Sequence, residues 1–177
     1  LVANNYDVTL CGRLLKNSKP LPKTDYKIRR FKLPFTKGAL FYAAYNIRLF
    51  FYLIANKSDV LLANDLDTLL ANHLANKFKR GGKLYYDSHE YFTGVPELIT
   101  RPAIQKSWRF IEKMTLPKVD KMYTVNVSIA ELYEFEYRRT DIKVVRNISD
   151  VKVIDRSKSK KELGLPLDKR IVIIQGA

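Results

Sequence analysis

The stretch "DVLLANDLDTLLANHLANKFKRGGKLYYD", Asp59–Asp87, decides the fold class. It opens on a short apolar run, "DVLLA", of strand length. From about Asp67 to Lys79 the apolar residues recur at helical spacing, and Gly81-Gly82 supplies a natural C-terminal cap. "KLYYD" is again strand-like. Strand, helix and strand within about 30 residues make a βαβ crossover, which brings its two strands together in parallel.

The same alternation extends outward in both directions. "YDVTLCG" (Tyr6–Gly12) and "YKIRRF" (Tyr26–Phe31) read as strands, and a long apolar helix runs from about Ala39 to Lys57. Beyond Asp87, a helix from about Pro102 to Leu116 has proline in its first turn and Pro117 past its end. "KMYTV" (Lys121–Val125) is a strand, Asn126 or Ser128 caps a helix to about Arg138, and "IKVV" (Ile142–Val145) closes the set. The expected fold is α/β, a parallel sheet with helices on both faces.

The apolar helix is interrupted by Asn46 and Arg48. It falls short of the ~20 apolar residues of a span. Burial against the sheet is the first expectation for it, and an interfacial position beside the basic segment is the second.

The chain has 177 residues, 46% hydrophobic and 28% charged, enough for one domain with a real core. A single cysteine, Cys11, excludes an internal disulfide framework and suits a reducing compartment. The net charge of +14 is concentrated near the start: residues 1–57 hold 11 Lys/Arg against 2 Asp/Glu. So lopsided a field attracts polyanions, whether nucleic acid, anionic lipid or phosphorylated substrates. The sequence lacks a G-x-G-x-x-G loop, a G-x-S-x-G elbow and zinc-type Cys/His spacing, so no metal site is expected.

In parallel sheets ligands gather at the carboxyl ends of the strands. That rule marks "NDLDT", "DSHEYF", "NVS" and "RNIS". His89, beside Asp87 and Glu90, can orient a hydroxyl group or accept its proton, the alternative being a loop histidine hydrogen-bonded to backbone. Asn64 and Asp65 are candidates to bind sugar hydroxyls, while Asp67 or Thr68 is expected to cap the following helix. Tyr91 and Phe92 offer flat faces for stacking on a sugar or base, and packing of the loop explains them equally well. His73, in mid-helix, and Trp108 read as packing residues.

Both ends look incomplete. "LVANN" reads as the last turn of a helix, implying a strand and a helix upstream. Residues 150–168 read as a linker, and 169–177, "KRIVIIQGA", as the first strand of a second domain.

Five segments in this order, "DVLLANDLDTLLA", "YYDSHEYFTGVPEL", "YTVNVSIAELY", "VVRNIS" and "KKELGLPLDKRIVIIQGA", resemble glycosyltransferase family 4, of the two-domain GT-B fold. The resemblance runs from Tyr6 to Ala177. It implies that residues 1–149 are a Rossmann-like acceptor-binding domain and that a donor domain begins near residue 169. His89 matches the histidine expected near the transferred sugar, with Asp87, Glu90 and Tyr91 in the acceptor-side loop. Asn147 matches the asparagine of the turn before the linker. Arg146 stands there in place of the family's proline, and Ile148 in place of its glycine. Gly176 matches the glycine where backbone approaches the donor.

The resemblance also implies retaining transfer from a UDP- or GDP-sugar to a glycan or lipid-linked acceptor, without a bound metal. The donor's phosphates would be held by residues beyond Ala177, so this chain alone is expected to be inactive. The expected location is cytoplasmic, peripheral at the inner face of a membrane. The alternative is a basic Rossmann-like module that binds nucleic acid or another polyanion, and another GT-B enzyme such as a sugar-nucleotide epimerase is a third option.

Overall fold

The computed structural model describes residues 1–79, 81–148 and 158–172. The chain divides into two compact units, Leu1–Arg146 and Asn147–Ala177.

The first unit is α/β and Rossmann-like. Its strands are β1 (Thr9–Leu14), β2 (Lys27–Lys32), β3 (Val60–Asn64), β4 (Lys83–Ser88), β5 (Lys121–Thr124) and β6 (Ile142–Val144). Its helices are α1 (Gly38–Ala55), α2 (Leu66–Lys79), the single turn α3 (Pro96–Ile99), α4 (Pro102–Thr115) and α5 (Val127–Tyr137). All strand pairs are parallel: β1 with β2 in one sheet, and β3-β4-β5-β6 in sequence order in another.

The elements form where local chemistry favours them. Pro102 starts α4 with its fixed φ. The Asn126 side chain accepts from the Ile129 N–H at 2.8 Å and caps α5, which ends on Arg138 in the left-handed region. At the α2–β4 turn a Cβ on Gly82 would lie 2.8 Å from Asn76 Oδ1, the end of a side chain that can swing aside.

Register fixes the faces. Leu61 lies beside Leu84, Ala63 beside Tyr86, and Tyr86 beside Met122, so all five share one side of the sheet. There they meet Leu66, Leu69 and Ala75 of α2 and Tyr133 of α5 in the main core. Full burial of each large apolar side chain contributes about 2 kcal/mol. Phe50, Leu53 and Ile54 of α1, Trp108 and Ile111 of α4, and Ile129 and Tyr137 of α5 pack around it. A second cluster joins Phe31 of β2 to Tyr45 and Leu49 of α1 and Ala71 of α2. Helix α1 therefore roofs both sheets. Its Asn46 explains the polar interruption: Nδ2 donates to the Asp67 carbonyl at 2.7 Å, and Oδ1 accepts from the Ala71 N–H at 3.1 Å.

Burial of α1 is one-sided. Tyr45 and Leu49 are buried, whereas Leu40, Ile47 and Phe51 are about 60% exposed. At 100° per residue these three fall within about 40° of one another, forming one apolar stripe. By length and composition the helix is also apolar enough to cross a membrane.

In the second unit, residues 160–164 form a turn closed by the Leu165 N–H to the Lys160 carbonyl at 2.9 Å. Residues 170–172 carry no regular structure. Much of the expected linker, most of the strand expected over 169–177, and Gly176 lie outside the described residues.

Candidate functional site

The carboxyl ends of β1 and β3 open on one cleft of about 410 Å³. Arg13 comes from β1, Phe41, Tyr42 and Tyr45 from the first turns of α1, and Asn64, Asp65, Asp67 and Thr68 from the β3–α2 turn. From β1 the chain proceeds to β2 on one side, and from β3 to β4 on the other. Such a divergence leaves a crevice at the strand ends.

Tertiary packing assembles the walls. The Arg13 guanidinium lies 5.0 Å from the centre of the Phe41 ring, a cation–π contact. The Tyr45 hydroxyl donates to the Cys11 carbonyl at 3.4 Å, which aims that ring across the end of the sheet. Burial raises the Tyr45 hydroxyl to about 12, so it remains a neutral donor.

The β3–α2 turn departs from the expected capping. Asp65 takes the left-handed conformation, φ 59°, and α2 begins at Leu66. Thr68 does not accept as a cap: its Oγ1 donates to the Asn64 carbonyl at 2.8 Å. Asp67 faces the cleft from the first turn. Burial, followed by the neighbouring Asp65 charge, raises its carboxyl from 3.8 to about 6. A carboxyl so raised, beside the Asp65 carboxylate, suits hydroxyl binding and proton handling.

The β4 loop joins the same rim. The His89 N–H donates to Asp65 Oδ1 at 2.9 Å, and its Nε2 lies 3.2 Å from Asp87 Oδ2. The imidazole is 42% exposed. With Nε2–H directed at Asp87, Nδ1 is left as an acceptor for an incoming hydroxyl. Burial and the Asp65 charge raise the Glu90 carboxyl.

A buried polar network supports this loop from below. Ser88 Oγ donates to the Glu90 carbonyl at 2.7 Å and lies 3.0 Å from the Tyr133 hydroxyl. Tyr133 donates to Glu112 Oε1 at 3.0 Å, and Thr93 donates to Oε2 at 3.2 Å. Tyr137 donates to the same carboxylate. Fully buried Glu112 thus accepts three hydroxyl donors, and its carboxyl is raised by desolvation.

Of the residues expected from sequence, Asn64, Asp65, Asp87, His89 and Glu90 meet at or beside the cleft. Tyr91 is placed differently. Its hydroxyl donates to Glu136, its ring meets Tyr133 edge-on, and a Cβ on Gly94 would lie 2.3 Å from that ring. It builds the wall of the loop. Asn147 is exposed in the second unit. His73, half-buried on α2, has its pKa lowered mainly by burial. Trp108 packs edge-on against Tyr42 and Phe92. Among the described residues no group of three or more His, Cys, Asp or Glu side chains is placed to hold a metal ion. Sequence reasoning missed Arg13, Tyr42 and Tyr45, which enter through tertiary packing, and assigned Asp67 to a cap.

No protein-family model matches the chain, and no curated protein matches it.

Proposed function

We propose that the first unit is the acceptor-binding half of a retaining glycosyltransferase, which moves a sugar from a UDP- or GDP-sugar to a glycan or lipid-linked acceptor. The observation that carries this reading is the meeting of Asn64, Asp65 and Asp67 beside aromatic rings at one strand-end cleft, with the backbone N–H of His89 bonded to Asp65. Carboxylates accept hydrogen bonds from sugar hydroxyls, an amide both accepts and donates, and Tyr42 offers its ring to the sugar's apolar side. Asp87 orients His89, whose Nδ1 accepts a hydrogen bond from the attacking hydroxyl. That hydroxyl attacks the anomeric carbon on the face from which the donor phosphate departs. The proton passes to the leaving phosphate, and the donor is held by a second domain.

Titration of the chain with oligosaccharides, followed residue by residue by NMR, tests the site. Shifts centred on Asp65, Asp67 and His89 are expected. Binding of saccharides elsewhere, with those residues unmoved, would reject it.

The location proposed is cytoplasmic, with α1 resting on an anionic membrane. The exposed Leu40–Ile47–Phe51 stripe favours this placement, as does the basic excess of residues 1–57. A nucleic-acid or polyanion-binding module is the second reading, favoured by the same charge. Salt-sensitive binding to single- or double-stranded DNA, tighter than to anionic vesicles, would select it.

A further inference from the structure

The cleft is chemically two-sided. Asn64, Asp65 and Asp67 line it from the β3–α2 turn, and Arg13 lines it from β1. Among the described lining residues Arg13 is the one cation. Neutral hydroxyls are served by the carboxylates and the amide. The guanidinium adds something different: five N–H donors in a rigid fork that fits a carboxylate or a phosphate bidentately.

Arg13 is not spent inside the protein. None of the ion pairs among the described residues includes it. Asp65 instead accepts the His89 N–H, and Asp87 faces the His89 ring. The guanidinium lies over the Phe41 ring, 5.0 Å from its centre. That contact restrains the head group and consumes no N–H donor. Burial and the Asp65 charge raise the Asp67 carboxyl to about 6, outweighing the opposing pull of Arg13. The cation therefore stands in the field of the acidic wall without neutralising it.

Its surroundings extend its charge. Lys16 follows β1 and Lys37 precedes α1 at the same end of the sheet. Both belong to the segment 1–57, with 11 Lys/Arg against 2 Asp/Glu. An anion is drawn to that side of the cleft and repelled by the other. At about 410 Å³ the cleft has the size of a small-ligand site, so one ligand touches both walls.

We propose that Arg13 selects acceptors that carry an anionic group, a carboxylate or a phosphate, beside the hydroxyls held by the β3–α2 turn. The fork of Arg13 binds the anion, while Asn64, Asp65 and Asp67 bind hydroxyls on the other side of the same ring. This deepens the acceptor-site reading and rests on it.

Methyl glycosides of glucose, galactose and mannose are titrated into the chain, each beside its uronic acid and its phosphate ester at the same terminal carbon. Binding is followed by NMR at the amides of Arg13, Asp65 and Asp67. One anionic form is expected to bind at least ~10-fold tighter than its neutral parent, the scale of a charge-assisted hydrogen bond. Added salt narrows the gap. Whether the uronic acid or the phosphate ester carries the gain tells the two anions apart. In Arg13→Gln the anionic-to-neutral ratio falls to about one, and in Arg13→Lys, which keeps the charge and loses the fork, it falls part-way. Melting curves confirm that both variants are folded, and Arg13→Lys keeps the role testable if Arg13→Gln is not. Neutral glycosides that bind at Asp65 and Asp67, with no gain from an anion, would overturn the role of Arg13 and leave the acceptor site standing. A gain that survives in Arg13→Gln would overturn that role too. Binding of none of the three series at these amides would overturn both.

Discussion

The backbone N–H of His89 donates to Oδ1 of Asp65 over 2.9 Å, joining the turn after β4 to the turn after β3. One carboxylate thereby serves two purposes, since Asp65 also lines the cleft. The geometry of the imidazole is thus coupled to the floor of the site.

Asp65→Ala is expected to lower stability by about 1–2 kcal/mol, the scale of a hydrogen bond to a charged group at a partly solvated site. Increased exchange of the His89 amide, read by NMR, accompanies that loss. A destabilised variant with an unchanged His89 amide would contradict the coupling.

Asp67 predicts a specific pH response. Its folded value is about 6, against an ordinary 3.8. Between those values the folded chain binds more protons than the unfolded chain, so this group's contribution to stability falls as pH rises from about 4 to about 6. Asp67→Asn is expected to abolish that fall and to exceed the parent by about 3 kcal/mol at pH 7.5, by the conversion of a shift of this size. Thermal melts across pH check it; parallel curves for the two proteins would refute it. A carboxylate that opposes folding at neutral pH is characteristic of binding sites.

Much of this was legible in the sequence, for physical reasons. Apolar periodicity matches α2 and its flanking strands, and Gly81-Gly82 lie between α2 and β4, so β3-α2-β4 is readable from local chemistry alone. The cleft was half legible. Asn64, Asp65 and His89 follow strand ends, whereas Arg13 lies about 50 residues away and is recruited through contact with α1. Asp67 was misassigned because an acidic residue in a first helical turn fits a cap and a cleft wall equally well. The left-handed turn at Asp65, which decides between them, has no glycine to announce it. One-sided burial of α1 was also hidden, since an apolar helix carries no local mark of which face lacks a neighbour.

Glu112 is the strongest structural point below the site. Glu112→Ala strands the Tyr133, Tyr137 and Thr93 hydroxyls and is expected to cost about 3 kcal/mol or more. Glu112→Gln keeps part of the network and is expected to cost less. Denaturant melts rank them, and equal losses would show that packing rather than hydrogen bonding carries the effect.

The α1 stripe makes a surface prediction. Vesicles containing phosphatidylglycerol are expected to capture the chain, and added salt to weaken capture. Ile47→Ser with Phe51→Ser should reduce capture about tenfold or more by removing two apolar contacts. Since both side chains are about 60% exposed, melting should change little. Unchanged capture would assign the lipid contact to another surface.

Sugar transfer by the protein that carries this chain, measured with His89 intact and as His89→Ala, bears most directly on the acceptor-site assignment. The expected result is turnover reduced at least ~100-fold, the scale of lost general acid–base assistance, with nucleotide-sugar binding preserved. Turnover equal to that of the parent would contradict the role given to the imidazole.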